Sequence, residues 1–143
     1  MNNMKTQKYI VAGLLGMVGA LAHAEFVVVV SAKSPVTALT AEQAAQIFLG
    51  KVSVFPNGEP SIPVDQPEGT PVRNEFYEKL TNKTPKQILA YRANMVFSGK
   101  GRAPKELSSS QEVKKIVADN PNVVGYMEKS LADSSVRVVL TQP

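Results

Sequence analysis

Phe26-Val27-Val28-Val29-Val30 is a run of five apolar residues, four of them β-branched, and Ser31-Ala32-Lys33-Ser34-Pro35 follows it directly. A run so short and so branched predicts a strand buried on both faces, the usual state of a strand in a parallel sheet covered by helices. Pro35 and the small polar residues around it make 31–39 a loop. A helix begins after Thr40. Thr40 and Gln43 form a capping box, in which each side chain satisfies a backbone N–H that the first turn leaves free. Ala44, Ile47 and Phe48 share one face of this helix, and Gly50 stands where a left-handed residue ends it.

The same grammar recurs along the chain. Pro56-Asn57-Gly58 marks a turn, and Ser61 to Asp65 a short strand. Glu68-Gly69-Thr70-Pro71 opens a second helix, with Thr70 as N-cap, Pro71 at the first helical position and Val72, Phe76 and Leu80 as its buried stripe. Thr84-Pro85-Lys86-Gln87 caps a third, with Ile88, Leu89, Tyr91 and Met95 available for packing. The stretch 98–107 is the least regular and holds Gly99, Lys100, Gly101, Arg102, Pro104 and Lys105. Ser109 and Glu112 form another capping box, opening a helix to about Asp119 that Asn120-Pro121-Asn122 breaks. Val123–Met127 and Val136–Leu140 are the last strands. The order β-α-β-α-α-α-β-β predicts an α/β sandwich. Phe48, Phe76, Tyr91, Phe97 and Tyr126 fall at packing positions and read as core.

Ahead of this domain, Lys5 and Lys8 precede a short apolar run, Ile10 to Leu21, and Ala22-His23-Ala24 gives a small-x-small cleavage pattern. Residues 1–24 therefore read as a cleavable secretory signal and 25–143 as one domain, placed in the periplasm. The apolar run is too short to span a bilayer, and no cysteine follows it for lipid attachment. The formal net charge of +4 halves once Lys5 and Lys8 leave, which argues against nucleic acid as a partner. The chain has no Cys, and its one His, His23, lies in the signal. The commonest general base, thiol nucleophile and metal ligands are thus missing, and neither an enzyme nor a metal or cofactor protein is expected.

Four stretches resemble the phosphate-binding-protein branch of the periplasmic binding proteins. These are Ser34-Pro35-Val36 with Leu39-Thr40 and Gln46-Ile47-Phe48-Leu49-Gly50-Lys51, Ile62-Pro63-Val64-Asp65 with Glu68-Gly69-Thr70 and Arg73-Asn74-Glu75-Phe76, Phe97-Ser98-Gly99-Lys100-Gly101, and Val117-Ala118-Asp119-Asn120-Pro121 with Val124-Gly125-Tyr126. The resemblance implies a single lobe of the binding-protein fold, a mixed sheet flanked by helices. It also implies recognition of phosphate or a similar oxyanion for an ABC transporter or a sensing system, with a membrane permease or sensor as partner. Full-length members close two lobes around the anion, whereas this chain has residues for one, which a second copy or a partner would complete. The family's turn reads Ser-Gly-Thr with an arginine just before it. Here Glu68 stands in the serine's place, and Val64 to Pro67 include no arginine.

The Gly69-Thr70 turn has the chemistry of an anion site. Free N–H groups of a first helical turn, the helix dipole, the Thr70 hydroxyl and a bidentate Arg73 can all meet negative charge. Ser31 and Ser34, just past the first strand, are expected at the same end of the sheet, where open α/β sheets hold ligands. Glu68 opposes an anion there, unless Arg73 pairs with it. Lys100, Arg102 and Lys105 form a second candidate, a basic loop for an anionic partner or ligand. The alternative function is a periplasmic protein-interaction module that kept the lobe and holds no ligand.

Overall fold

A computed structural model describes residues 25–143; the signal reading of 1–24 lies outside the described residues. The elements are β1 (Phe26–Ser31), α1 (Ala41–Phe48), β2 (Ile62–Asp65), α2 (Pro71–Thr81), α3 (Pro85–Phe97), β3 (Lys105–Glu106), α4 (Ser110–Asp119), β4 (Val123–Glu128) and β5 (Val136–Thr141). They form one five-stranded sheet in the order β3-β2-β4-β1-β5. The two-residue β3 adds a strand inside the stretch read as irregular.

β1 is buried on both faces, with no residue more than 1 % exposed. Its neighbours run the other way, however: β1 is antiparallel to both β4 and β5, and the parallel pairings are β2 with β4 and with β3. The sheet is therefore mixed, and the parallel setting expected for β1 is corrected. Burial on both faces needs only helices above and below, whichever way the adjacent strands point. Alternation along the strand supplies this. Phe26, Val28 and Val30 pack toward α1, α2 and α3 with Ile47, Phe48, Phe76, Ile88 and Tyr126, while Val27 and Val29 pack toward α4 with Val113, Val117 and Met127. In the first layer Phe76 stacks on Tyr126, their rings 3.8 Å apart and 5° from parallel.

The local signals account for the helix ends. The Thr40–Gln43 and Thr84–Gln87 boxes close in both directions. At α4 only half of the expected box forms. Ser109 accepts from the Glu112 N–H at 3.2 Å, but the Glu112 carboxylate turns to the Ser108 N–H at 2.8 Å. Gly50 ends α1 with φ of +72°, a conformation that a Cβ would strain. Two packing expectations fail on α3. Its buried stripe is Ile88, Arg92 and Met95, so Leu89 and Phe97, one or two positions away, face outward at 55 % and 95 % exposure.

Gly125 lets α4 lie close on the sheet, since a Cβ there would sit 2.6 Å from Val113 Cγ1 and 3.2 Å from Val117 and Val64 methyls. Gly125→Ala is expected to destabilise the domain by about 1–3 kcal/mol through overpacking. A urea melt followed by circular dichroism checks it, and an unchanged midpoint would contradict this contact.

Candidate functional site

β2 ends at Asp65, a carboxylate 2 % exposed. It accepts hydrogen bonds from the Gln66 N–H at 2.9 Å, from the Tyr77 hydroxyl at 2.6 Å and from the Tyr126 hydroxyl. Tyr77 in turn accepts from Arg92 Nη2 at 2.8 Å, and that nitrogen also donates to the Phe48 carbonyl at 2.6 Å. Arg92 is 8 % exposed, and its Nη1 has no hydrogen-bond partner. Burial first, and the Asp65 charge second, hold both Tyr77 and Tyr126 well above the ordinary tyrosine pKa.

The chain then turns through Gln66-Pro67-Glu68-Gly69 into α2, with Gly69 at φ of +80°. Thr70 has the extended backbone of an N-cap, but its hydroxyl donates back to the Pro67 carbonyl at 2.8 Å and caps nothing in the helix. The expected Thr70 cap is corrected here: the 67–70 turn draws the hydroxyl away, so the first N–H groups of α2 have no side-chain acceptor. Beside them lies a cavity of about 330 Å³ lined by Glu68, Gly69, Arg73, Asn74, Tyr77 and Lys86 among others.

Arg73 is 9 % exposed and donates to the Gln66 carbonyl at 2.8 Å and to Glu106 at 3.3 Å. Its guanidinium also lies 3.8 Å from Asp65 and 3.9 Å from Glu68. Burial works against the Arg73 charge, but Asp65 and the other negative partners outweigh it and raise its pKa above the usual arginine value. The pairing with Glu68 that the sequence suggested is present, together with two further carboxylates.

The structure does not bring every expected residue here. β1 runs opposite to β4 while β2 runs with it, and Val30 and Pro63 both pair with Val124. Ser31 and Ser34 thus lie at the start of β2, whereas the Gly69-Thr70 turn follows its end. Both serines are buried and already engaged: Ser31 donates to the Ala118 carbonyl of α4 and accepts from the Lys33 N–H, and Ser34 accepts from the Val36 N–H. Their place in the anion site is corrected, because an antiparallel β1 delivers its end to the wrong side. Lys100, Arg102 and Lys105 come together along a separate groove at the start of β2. Lys86 and Arg92 are further site residues that the sequence pattern does not single out as such. Arg92 could have been noticed as a charge on the apolar Ile88–Met95 stripe, whereas Lys86 carries no such signal.

No protein-family model and no curated protein sequence matches this chain. Solved structures do. One is a phosphate ABC transporter substrate-binding protein from Clostridium perfringens, with phosphate bound, at TM-score 0.65 and 23 % identity, aligned over 80 % of this chain and 44 % of that one. Another is an ABC-type phosphate transport receptor from Vibrio cholerae, at TM-score 0.62 and 20 % identity over 80 % and 45 %. PstS from Borrelia burgdorferi aligns at TM-score 0.60 and 16 % identity over 80 % and 46 %. The domain has the fold of one lobe of these binding proteins. At this identity the likeness is one of fold, and the chain spans less than half the length of each.

The raised tyrosine pKa values set an alkaline limit. A hydroxyl held neutral in the fold stabilises it fully below the unfolded tyrosine pKa of about 10, and that stability is lost as pH rises beyond it. Tyr77 and Tyr126 are expected to ionise only together with unfolding, seen as coincident tyrosinate absorbance and loss of circular dichroism. Tyr126→Phe, which leaves Asp65 one donor short, should cost about 1–3 kcal/mol at neutral pH. Tyrosine ionisation completed before any unfolding would contradict the network.

Proposed function

We propose that this domain is a periplasmic binding module that receives phosphate or a similar small oxyanion at the amino end of α2, serving a transport or sensing system through a membrane permease or sensor protein. The observation that carries the reading is the first turn of α2, which no side chain caps and which opens on a cavity beside Arg73 and Lys86. An anion there meets free N–H groups and the positive end of the helix dipole. Gly69 lets it approach the backbone. The likeness in fold to a protein solved with phosphate adds support. The periplasmic setting rests on the pattern of residues 1–24, and among the described residues no helix is long and apolar enough to cross a membrane.

The electrostatics make this site weak. Arg73 is shared among Asp65, Glu68 and Glu106, so an anion gains only what those carboxylates leave. That same sharing favours the second reading, a lobe that holds no ligand and serves as a protein-interaction module.

Glu68 decides between the two. Two like charges about 4 Å apart oppose each other by ~4 kcal/mol at a surface-like dielectric, and the exposure of Glu68 screens part of this. Glu68→Gln is expected to tighten phosphate binding by about tenfold in isothermal titration, with sulfate as the comparison anion. If neither the natural protein nor the variant releases heat at ligand concentrations on the order of millimolar, with both folded, the interaction module is the better reading.

A further inference from the structure

A second site lies at the other end of β2. A groove of about 730 Å³ runs between the end of α1, the start of β2 and the 98–105 loop. Lys51, Lys100, Arg102 and Lys105 border it, and no lining residue is acidic. Among the described residues, Lys51, Lys100 and Arg102 form no ion pair. Lys105 forms no ion pair either, although Glu112 lies within electrostatic reach of it.

The cations are gathered by packing. A Cβ on Gly50 would lie 3.2 Å from Met95 Sδ, and one on Gly101 only 3.0 Å from the same sulfur. The carbonyl of Gly50 is 3.9 Å from that Gly101 position. The two glycine turns therefore close on Met95 together, which sets Lys51 beside the Lys100–Arg102 segment.

The groove also holds a polar group with nothing to bond. Ser61 lines it at 7 % exposure, and its N–H donates to the Ser53 carbonyl at 3.0 Å. Its hydroxyl has no hydrogen-bond partner. A buried hydroxyl left unpaired lowers stability, and a side-chain rotation that turned it into the groove would let an acceptor oxygen there relieve that.

We propose that this groove is an anion site distinct from the α2 turn, and that it takes a chain of linked phosphates. Four cations around one concave space focus potential and answer more charge than one small oxyanion carries. Charges repeated along a compact chain fit cations drawn from two adjacent turns better than carboxylates spaced along a peptide. The Ser61 hydroxyl, rotated into the groove, donates to one of the phosphate oxygens.

Isothermal titration of the protein with tripolyphosphate and with orthophosphate tests this. Tripolyphosphate is expected to bind at least about tenfold more tightly, and the double variant Lys100→Ala/Arg102→Ala to lose at least that factor, the loss of a charge-assisted contact. Ser61→Ala should weaken tripolyphosphate binding while the thermal midpoint stays level or rises, a split that a purely structural serine would not give. ATP as a third ligand separates the sources: equal binding extends the site to a nucleotide's phosphate tail, and weaker binding assigns it to free polyphosphate. Equal losses in the control Lys33→Ala/Lys115→Ala, where both lysines are exposed elsewhere, would overturn the proposal. So would poly-glutamate binding as tightly as tripolyphosphate. The α2 reading fails separately. Orthophosphate binding there should survive Lys100→Ala/Arg102→Ala, and Glu68→Gln should leave tripolyphosphate unaffected.

Discussion

A carboxylate taken almost wholly out of water must be answered by donors from the fold itself, and Asp65 draws them from several elements. α2 gives Tyr77, β4 gives Tyr126 and the turn gives the Gln66 N–H, while Arg73 stands 3.8 Å away. Tyr77 is held in turn by Arg92 of α3, which also ties the carbonyl at the end of α1. The network thus fixes how α1, α2 and α3 sit over one face of the sheet. Apolar packing alone would hold those helices in place but leave their rotations less defined. Buried charges linked by directional bonds tolerate few alternatives, since removing one partner strands another.

This constraint also determines what α2 offers a ligand. Arg73 leaves the first turn of the helix pointing inward, where the Gln66 carbonyl and the acidic side chains hold it. The guanidinium is therefore largely committed before any anion arrives. What the helix still presents is its backbone: Gly69 at a positive φ and a first turn whose capping hydroxyl has gone to Pro67. Recognition resting mainly on backbone N–H groups is geometrically demanding but electrostatically modest. Glu68, more than half exposed beside them, is the side chain that most limits it.

The features legible in the sequence were the local ones. The capping pairs Thr40–Gln43 and Thr84–Gln87 and the turn at Asn57-Gly58 depend on neighbours a few residues away, and the burial of 26–30 is written in that run's own composition; the structure has all of them. Strand direction was not legible, because a run buried on both faces looks the same in parallel and antiparallel company. That one unknown misplaced Ser31 and Ser34. The side-chain network was hidden for a related reason. Asp65, Tyr77, Arg92 and Tyr126 lie on four different elements, and only the register brings them together. Phe97 misled in the opposite direction: an aromatic at the end of an apolar helix suggests core, yet the helix's rotation, set by Ile88, Arg92 and Met95, turns it to solvent.

The two candidate anion sites are joined by the smallest element in the fold. β3 is two residues long, pairs with Val64 and Asp65, and carries opposite charges at Lys105 and Glu106. Successive residues of a strand point to opposite faces. Lys105 accordingly joins the basic groove, and Glu106 reaches Arg73 at 3.3 Å. The sorting of charge, with cations unanswered at the start of β2 and carboxylates crowding an arginine at its end, depends on this pairing. A slip of one residue would exchange the two side chains, bringing a second cation to Arg73 and an acid to the groove. The glycine packing on Met95 guards that register, since it fixes where the 98–105 loop begins its approach to the sheet. The least regular stretch of the sequence is thus held at both ends, by a sulfur at one and by two strand pairings at the other.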